Sequence, residues 1–291
     1  VVAMALSTLA ANAREKRLLD RLNVLHETSS VHISLLRSFL LQPPPSLPVV
    51  GLASGPGDRY AVLVGEPFHD SWCSHDCSLR VVSRNKSSTL VLPTCPTSAV
   101  WLNRDIVAVG TVAGDVHLAA GEDLLSSAKF FSSPVSALHS PSPGRLLSAS
   151  ADGRLLLSAL KGTELKVLKE IDIHVSDLPR TIRSGGKAAT TTSRIGIVAV
   201  HGNEEKLLIA SETGGLWESA LSSLSTLHSL PSPPQAIAAA LFHPPFLAIQ
   251  TEAGAVQIQS ESGELLDSMP LPAVRMVITP DDILITLSNT S

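Results

Sequence analysis

The chain has 291 residues, 44% of them apolar but only 3% aromatic, and a formal net charge of −4. That length buries roughly three quarters of the unfolded surface, enough for a large core with no disulfide staple. No segment concentrates Lys and Arg, so the electrostatic footprint of a nucleic-acid or anionic-membrane binder is missing, and the shortage of aromatics argues against an aromatic-lined ligand pocket.

In chain order, residues 5–26 are strong helix formers. Ser7 or Thr8 can cap the start, and Leu9, Leu18, Leu22 and Leu25 leave an apolar stripe, which predicts one amphipathic helix within 1–30. Asn12, Arg14, Glu15, Lys16 and Arg17 break the first apolar stretch well short of a membrane span, so neither a transmembrane helix nor a secretory signal is expected. Val31, Ile33 and Leu35 alternate toward a strand over 31–41, and Pro43-Pro44-Pro45 makes the rest of 31–46 a stiff linker.

From residue 47 onward one pattern recurs: a run of small apolar residues, a turn ending in glycine, and a second apolar run. It is clearest at Ile106-Val107-Ala108-Val109, Leu146-Leu147-Ser148-Ala149, Leu207-Leu208-Ile209-Ala210 and Leu247-Ala248-Ile249-Gln250, each leading to a turn glycine: Gly114, Gly153, Gly214 and Gly254. Those glycines lie 39, 61 and 40 residues apart. A repeating antiparallel unit of about 40 residues predicts an all-β fold, a β-propeller of four-stranded blades. Blades are expected at about 47–92, 97–131, 134–172, 195–230 and 235–270. A sixth begins at Val274 and breaks off near Asn289, so a truncated C-terminus is expected and a seventh blade is left open.

Two insertions interrupt the rhythm. The connection between Leu63 and Leu79 swells to include Phe68, His69, Trp72, Cys73, His75 and Cys77, and polar, glycine-bearing sequence between Ile171 and Arg194 accounts for the long interval. Insertions into such repeats collect on loops that carry binding. Phe68 and Trp72 in the first loop, with Ile173, Val175, Leu178 and Ile182 in the second, are therefore the expected partner contacts. The whole 171–194 insertion should be mobile and solvent-facing, having few apolar residues to bury, with the Trp72 loop the more ordered contact surface.

The repeats resemble WD40 repeats. The match is best from Val135-Ser136-Ala137-Leu138 through Gly144-Arg145-Leu146-Leu147-Ser148-Ala149-Ser150-Ala151-Asp152-Gly153-Arg154-Leu155, and Leu241-Phe242-His243-Pro244 resembles the turn that follows the family's first strand. The naming Trp-Asp pair is absent, since Ser158 follows Leu157, Ala119 follows Leu118 and Gln259 follows Ile258. The resemblance covers roughly 47–291. It implies a rigid, non-enzymatic scaffold or adaptor for other proteins of an intracellular complex, cytoplasmic or nuclear, with no nucleic acid, membrane or small-molecule substrate among its partners.

Four side chains invite metal chemistry: His69, Cys73, His75 and Cys77. In an extended segment Cys73, His75 and Cys77 share a face. Nine consecutive residues would nevertheless have to wrap the ion unaided, whereas zinc sites pair separated ligands, so incidental loop residues are the favoured reading and no metal or cofactor is assigned. Glu66, Asp70, His75 and Asp76 could be imagined as an acid and a base, but no nucleophile accompanies them. Ser184-Gly185-Gly186-Lys187 lacks the remaining positions of a phosphate loop. The alternative is a propeller enzyme, a metal-assisted hydrolase using the His69 to Cys77 loop. It would need acidic or His side chains converging from inner strands that read here as Val, Ala, Ser and Leu.

Overall fold

The structure, a computed structural model, describes residue 41, 43–69, 73–83, 86–179, 182, 193–231, 235–244, 246–260, 262–270, 273–278 and 284–288. The expected N-terminal helix, most of the 31–41 strand, Trp72 and residues 183–192 lie outside the described residues.

Sequence runs of Val, Leu, Ile and Ala become strands, and the strands form five four-stranded antiparallel sheets and one hairpin. The first sheet holds β1 (Val49–Gly55), β2 (Arg59–Val64), β3 (Ser78–Ser83) and β4 (Lys86–Val91). The second holds β5 (Pro96–Trp101), β6 (Val107–Thr111), β7 (Asp115–Ala120) and β8 (Asp123–Lys129). The third is β9 (Val135–His139), β10 (Arg145–Ser150), β11 (Arg154–Lys161) and β12 (Glu164–Asp172). In the fourth, β13 (Ile197–Gly202), β14 (Leu207–Ser211), β15 (Leu216–Ser219) and β16 (His228–Ser229) follow one another. The fifth comprises β17 (Ile237–His243), β18 (Phe246–Thr251), β19 (Val256–Ser260) and β20 (Leu265–Met269), and β21 (Ala273–Ile278) pairs with β22 (Leu284–Ser288). Every four-stranded sheet is a meander in chain order, and the five fall on the repeats marked out by the sequence.

The second and third strands are the apolar runs, covered on both faces. β6 is buried along its whole length, whereas β4 on the outer edge alternates between exposed and half-buried. Because successive side chains point to opposite faces, neighbours in sequence enter different cores. Leu146 packs with Ala108, Val116 and Leu118 of the second sheet, and Leu147 packs with Ile197, Leu207 and Ile209 of the fourth. One such cluster fills each gap between consecutive sheets. The first strands also meet in succession: β1 with β5, β5 with β9, β9 with β13, β13 with β17, and β17 with β21.

Two devices recur from sheet to sheet. The pairing of the first strand with the second skips a residue near the start of the first strand in all six units, for instance between Pro96 and Ser98 and between Ile237 and Ala239, a bulge that sharpens the local twist. The turn from second to third strand ends on a glycine with positive φ, 87° at Gly114, 81° at Gly153, 96° at Gly214 and 83° at Gly254, as the repeat reading expects. Three residues before each of these stands a buried Thr or Ser: Thr111, Ser150, Ser211 and Thr251. Its carbonyl accepts the glycine N–H at 3.1 Å in all four turns.

The second insertion departs from expectation. Ile173 is fully buried and Leu178 is 5% exposed, both within the core between the third and fourth sheets, with Val175 and Ile182 packed against it. A bridge between His174 and Arg194 and the bond from Ile195 N–H to the Ile173 carbonyl close the neck of the insertion. A single 3-10 turn, Val175–Asp177, brings the Asp177 carbonyl to Trp217 Nε1–H at 3.1 Å. Ile173 and Leu178 are thus core residues and not free partner contacts. Their apolar surface is worth more against the large ring of Trp217 than in water.

Candidate metal centre

β2 ends at Val64, and Gly65 turns the chain away while its N–H donates to the Pro48 carbonyl. A side chain on Gly65 would put Cβ 3.1 Å from Cys95 Sγ, so the bare backbone lets the link between the first two sheets come close. That link, Leu92 to Cys95, is fastened at both ends: Leu92 N–H donates to the Cys77 carbonyl, and Val112 N–H of the second sheet donates to the Cys95 carbonyl. Cys95 is fully buried beside the enlarged β2–β3 loop.

The loop supplies the remaining groups. The donor atoms of His69, Cys73, His75 and Cys95 all lie within 4.8 Å of one another. His75 Nδ1 is 3.5 Å from Cys73 Sγ and 3.7 Å from Cys95 Sγ. The His69 and His75 rings meet edge to face with centroids 5.3 Å apart, and His69 Nε2 is buried with no hydrogen-bond partner. Backbone N–H groups point at both sulfurs, Cys95 N–H at Cys73 Sγ (3.2 Å) and Glu66 N–H at Cys95 Sγ (3.3 Å). All three cysteines are free thiols.

The sulfurs differ in electrostatics. Burial works against ionising Cys73, yet the backbone bonds at His75 and Cys95 and the facing side chains outweigh it and bring the thiol down to about 6. Burial pushes Cys95 up, and the neighbouring Cys73 pushes it further. Cys73 is thus the more readily ionised of the two sulfurs. Cys77 stands apart. Burial raises it to about 12, and its Sγ–H donates to the Leu92 carbonyl at 3.4 Å.

The sequence reading weighed His69, Cys73, His75 and Cys77 and favoured incidental loop residues; the fold brings the first three together with Cys95. It grouped Cys77 with them and missed Cys95, which follows in sequence only after the whole β3–β4 hairpin. Of the expected contact residues in this loop, Phe68 is 82% exposed and Trp72 lies outside the described residues. Among the described residues no helix is long and apolar enough to cross a membrane.

No family model matches the chain, and no curated protein matches it. Among solved structures it is similar to the computationally designed Ika8 protein, with a TM-score of 0.59 and 16% sequence identity over 82% of this chain and 67% of that one. At that identity the likeness concerns the fold alone.

Proposed function

We propose that the chain is a WD40-like β-propeller serving as a non-enzymatic scaffold for other proteins of an intracellular complex. The observation that carries this reading is the unbroken succession of first strands, β1 to β5 to β9 to β13 to β17 to β21, with an apolar cluster between each pair of consecutive sheets. Sheets that share one inner row of strands and splay outward make a stiff body whose loops vary without disturbing the core. Phe68, held out from the most elaborate of those loops, is its candidate contact anchor, since exposed aromatics dominate interface energetics.

The enzyme alternative fares worse on the same strands. None of the six first strands contains Asp or Glu, and no described Asp or Glu is a buried residue as a whole. Histidines do occur at the ends of three of them, His139, His201 and His243. His139 Nε2–H donates to the Gly202 carbonyl at 2.6 Å, and His201 Nδ1 accepts the Phe242 N–H at 3.3 Å. Those bonds tie neighbouring sheets together and commit a nitrogen of each ring to the backbone.

The test is affinity purification of the tagged full chain beside Phe68→Ala. A stoichiometric partner retained by the native chain and lost from the equally stable variant supports the scaffold. Reproducible hydrolase turnover that disappears in His75→Ala would replace it with the enzyme reading.

A further inference from the structure

We propose that His69, Cys73, His75 and Cys95 form a tetrahedral zinc site that staples the β2–β3 loop of the first sheet to the start of the second. The inference is independent of the scaffold reading, because it concerns what holds two sheets together and not what they bind.

The geometry sets the argument. Zinc takes sulfur at about 2.3 Å and imidazole nitrogen at about 2.05 Å, so the edge of its tetrahedron between S and N spans about 3.6 Å. The two S to N separations on His75 Nδ1 are 3.5 and 3.7 Å, on either side of that value. The fourth group, His69, brings a buried nitrogen with nothing to bond, a state that costs free energy unless a partner arrives. Two thiolates and two imidazoles are a donor set that selects zinc over harder cations such as magnesium or calcium, which prefer oxygen. The N–H groups of Glu66 and Cys95 aimed at the sulfurs supply the outer support that orients thiolate ligands.

The ligand spacing also answers the objection raised by sequence alone. Three ligands come from one loop, and the fourth arrives from the link between sheets, 20 residues beyond His75. Four protein ligands close the coordination sphere and leave no position for a substrate, so the ion's work is structural. Its place between the two sheets gives that work a direction: the swollen loop gains a fixed attachment to Cys95, whose carbonyl is already held by the second sheet.

The full chain, purified under reducing conditions from zinc-supplemented culture, should contain about one zinc per chain by elemental analysis. Stripped with chelator and titrated with Co2+, it should develop tetrahedral d–d bands and thiolate charge-transfer absorption. Cys73→Ser, Cys95→Ser and His75→Ala should each lower zinc affinity by at least about tenfold, while Cys77→Ser keeps the full complement. Should Cys95→Ser fail to fold, cobalt titration of the native chain and zinc content of His69→Ala decide the matter. A native chain that takes up neither metal overturns the proposal. So does zinc loss on Cys77→Ser equal to that on Cys73→Ser, or a Cys73–Cys95 disulfide that persists in the chain purified under reducing conditions.

Discussion

The buried Thr and Ser ahead of the turn glycines do two jobs at once. Ser211 Oγ accepts the Gly215 N–H at 2.9 Å, and Thr251 Oγ1 accepts the Ala255 N–H at 3.2 Å, so donors that the tight turn would otherwise leave unpaired in a dry interior are satisfied. Ser211→Ala should therefore cost about 1–3 kcal/mol in denaturant unfolding, the penalty of an orphaned buried N–H. Gly153 faces a harder limit. Its φ of 81° disfavours any side chain, and a Cβ would lie 2.6 Å from the Ile195 carbonyl oxygen, so Gly153→Val should lose about 2 kcal/mol or more, read as a lower urea midpoint. Glycine spacing was legible in the sequence, since 39 and 40 stand out by eye. The companion Ser and Thr were equally available three positions upstream, but they exchange for one another and drop out of a search for identical residues.

Histidine gives the molecule a pH-dependent seam. The rings of His139 and His201 lie 5.0 Å apart between β9 and β13. Burial first, then the neighbouring His139 and His243, lower His201 from 6.5 to about 4, and burial lowers His139 despite its bond to Gly202. In the unfolded chain both rings take up protons near pH 6.5, so the stability they contribute is whole above that value and is lost as pH falls toward 4. For His201 the loss amounts to about 3 kcal/mol. Unfolding midpoints measured from pH 7 to pH 4.5 should decline steeply in the native chain and less so in His201→Gln. An equal slope in both would remove His201 from the explanation.

Elements show where sequence patterning runs out. Meander sheets were legible because each central strand is a continuous apolar run bounded by turn residues, as Leu207 to Ser211 illustrates. The insertion after β12 was not, because its four apolar residues are scattered among polar ones with no period to reveal a face. What decides their fate is distant in sequence: Trp217, 39 residues beyond Leu178, offers a surface that only the folded sheet assembles. Ile173→Ala should cost about 2–5 kcal/mol, as expected of a buried branched side chain. Phe68→Ala, at an exposed loop position, should change stability by no more than about 0.5 kcal/mol. A comparison of the two melting temperatures separates a core position from a contact position, and equal losses would contradict both assignments.

At the scale of the molecule, the described residues form five four-stranded sheets and a hairpin, packed side by side so that neighbouring sheets share their main cores. Five of the apolar clusters are each shared by two neighbouring sheets, so a unit excised from the middle would expose both faces. Leu41 and Leu47 already cover part of the outer face of the first sheet, over Val62, Val64 and Val82. The zinc staple and the paired histidines lie at two of the seams, between the first and second sheets and between the third and fourth. An experimental crystal structure of the full chain tests the architecture most directly. β1, β5, β9, β13 and β17 should line one common axis with the fourth strands outermost, whereas first strands laid out in an open, uncurved row would contradict the propeller reading.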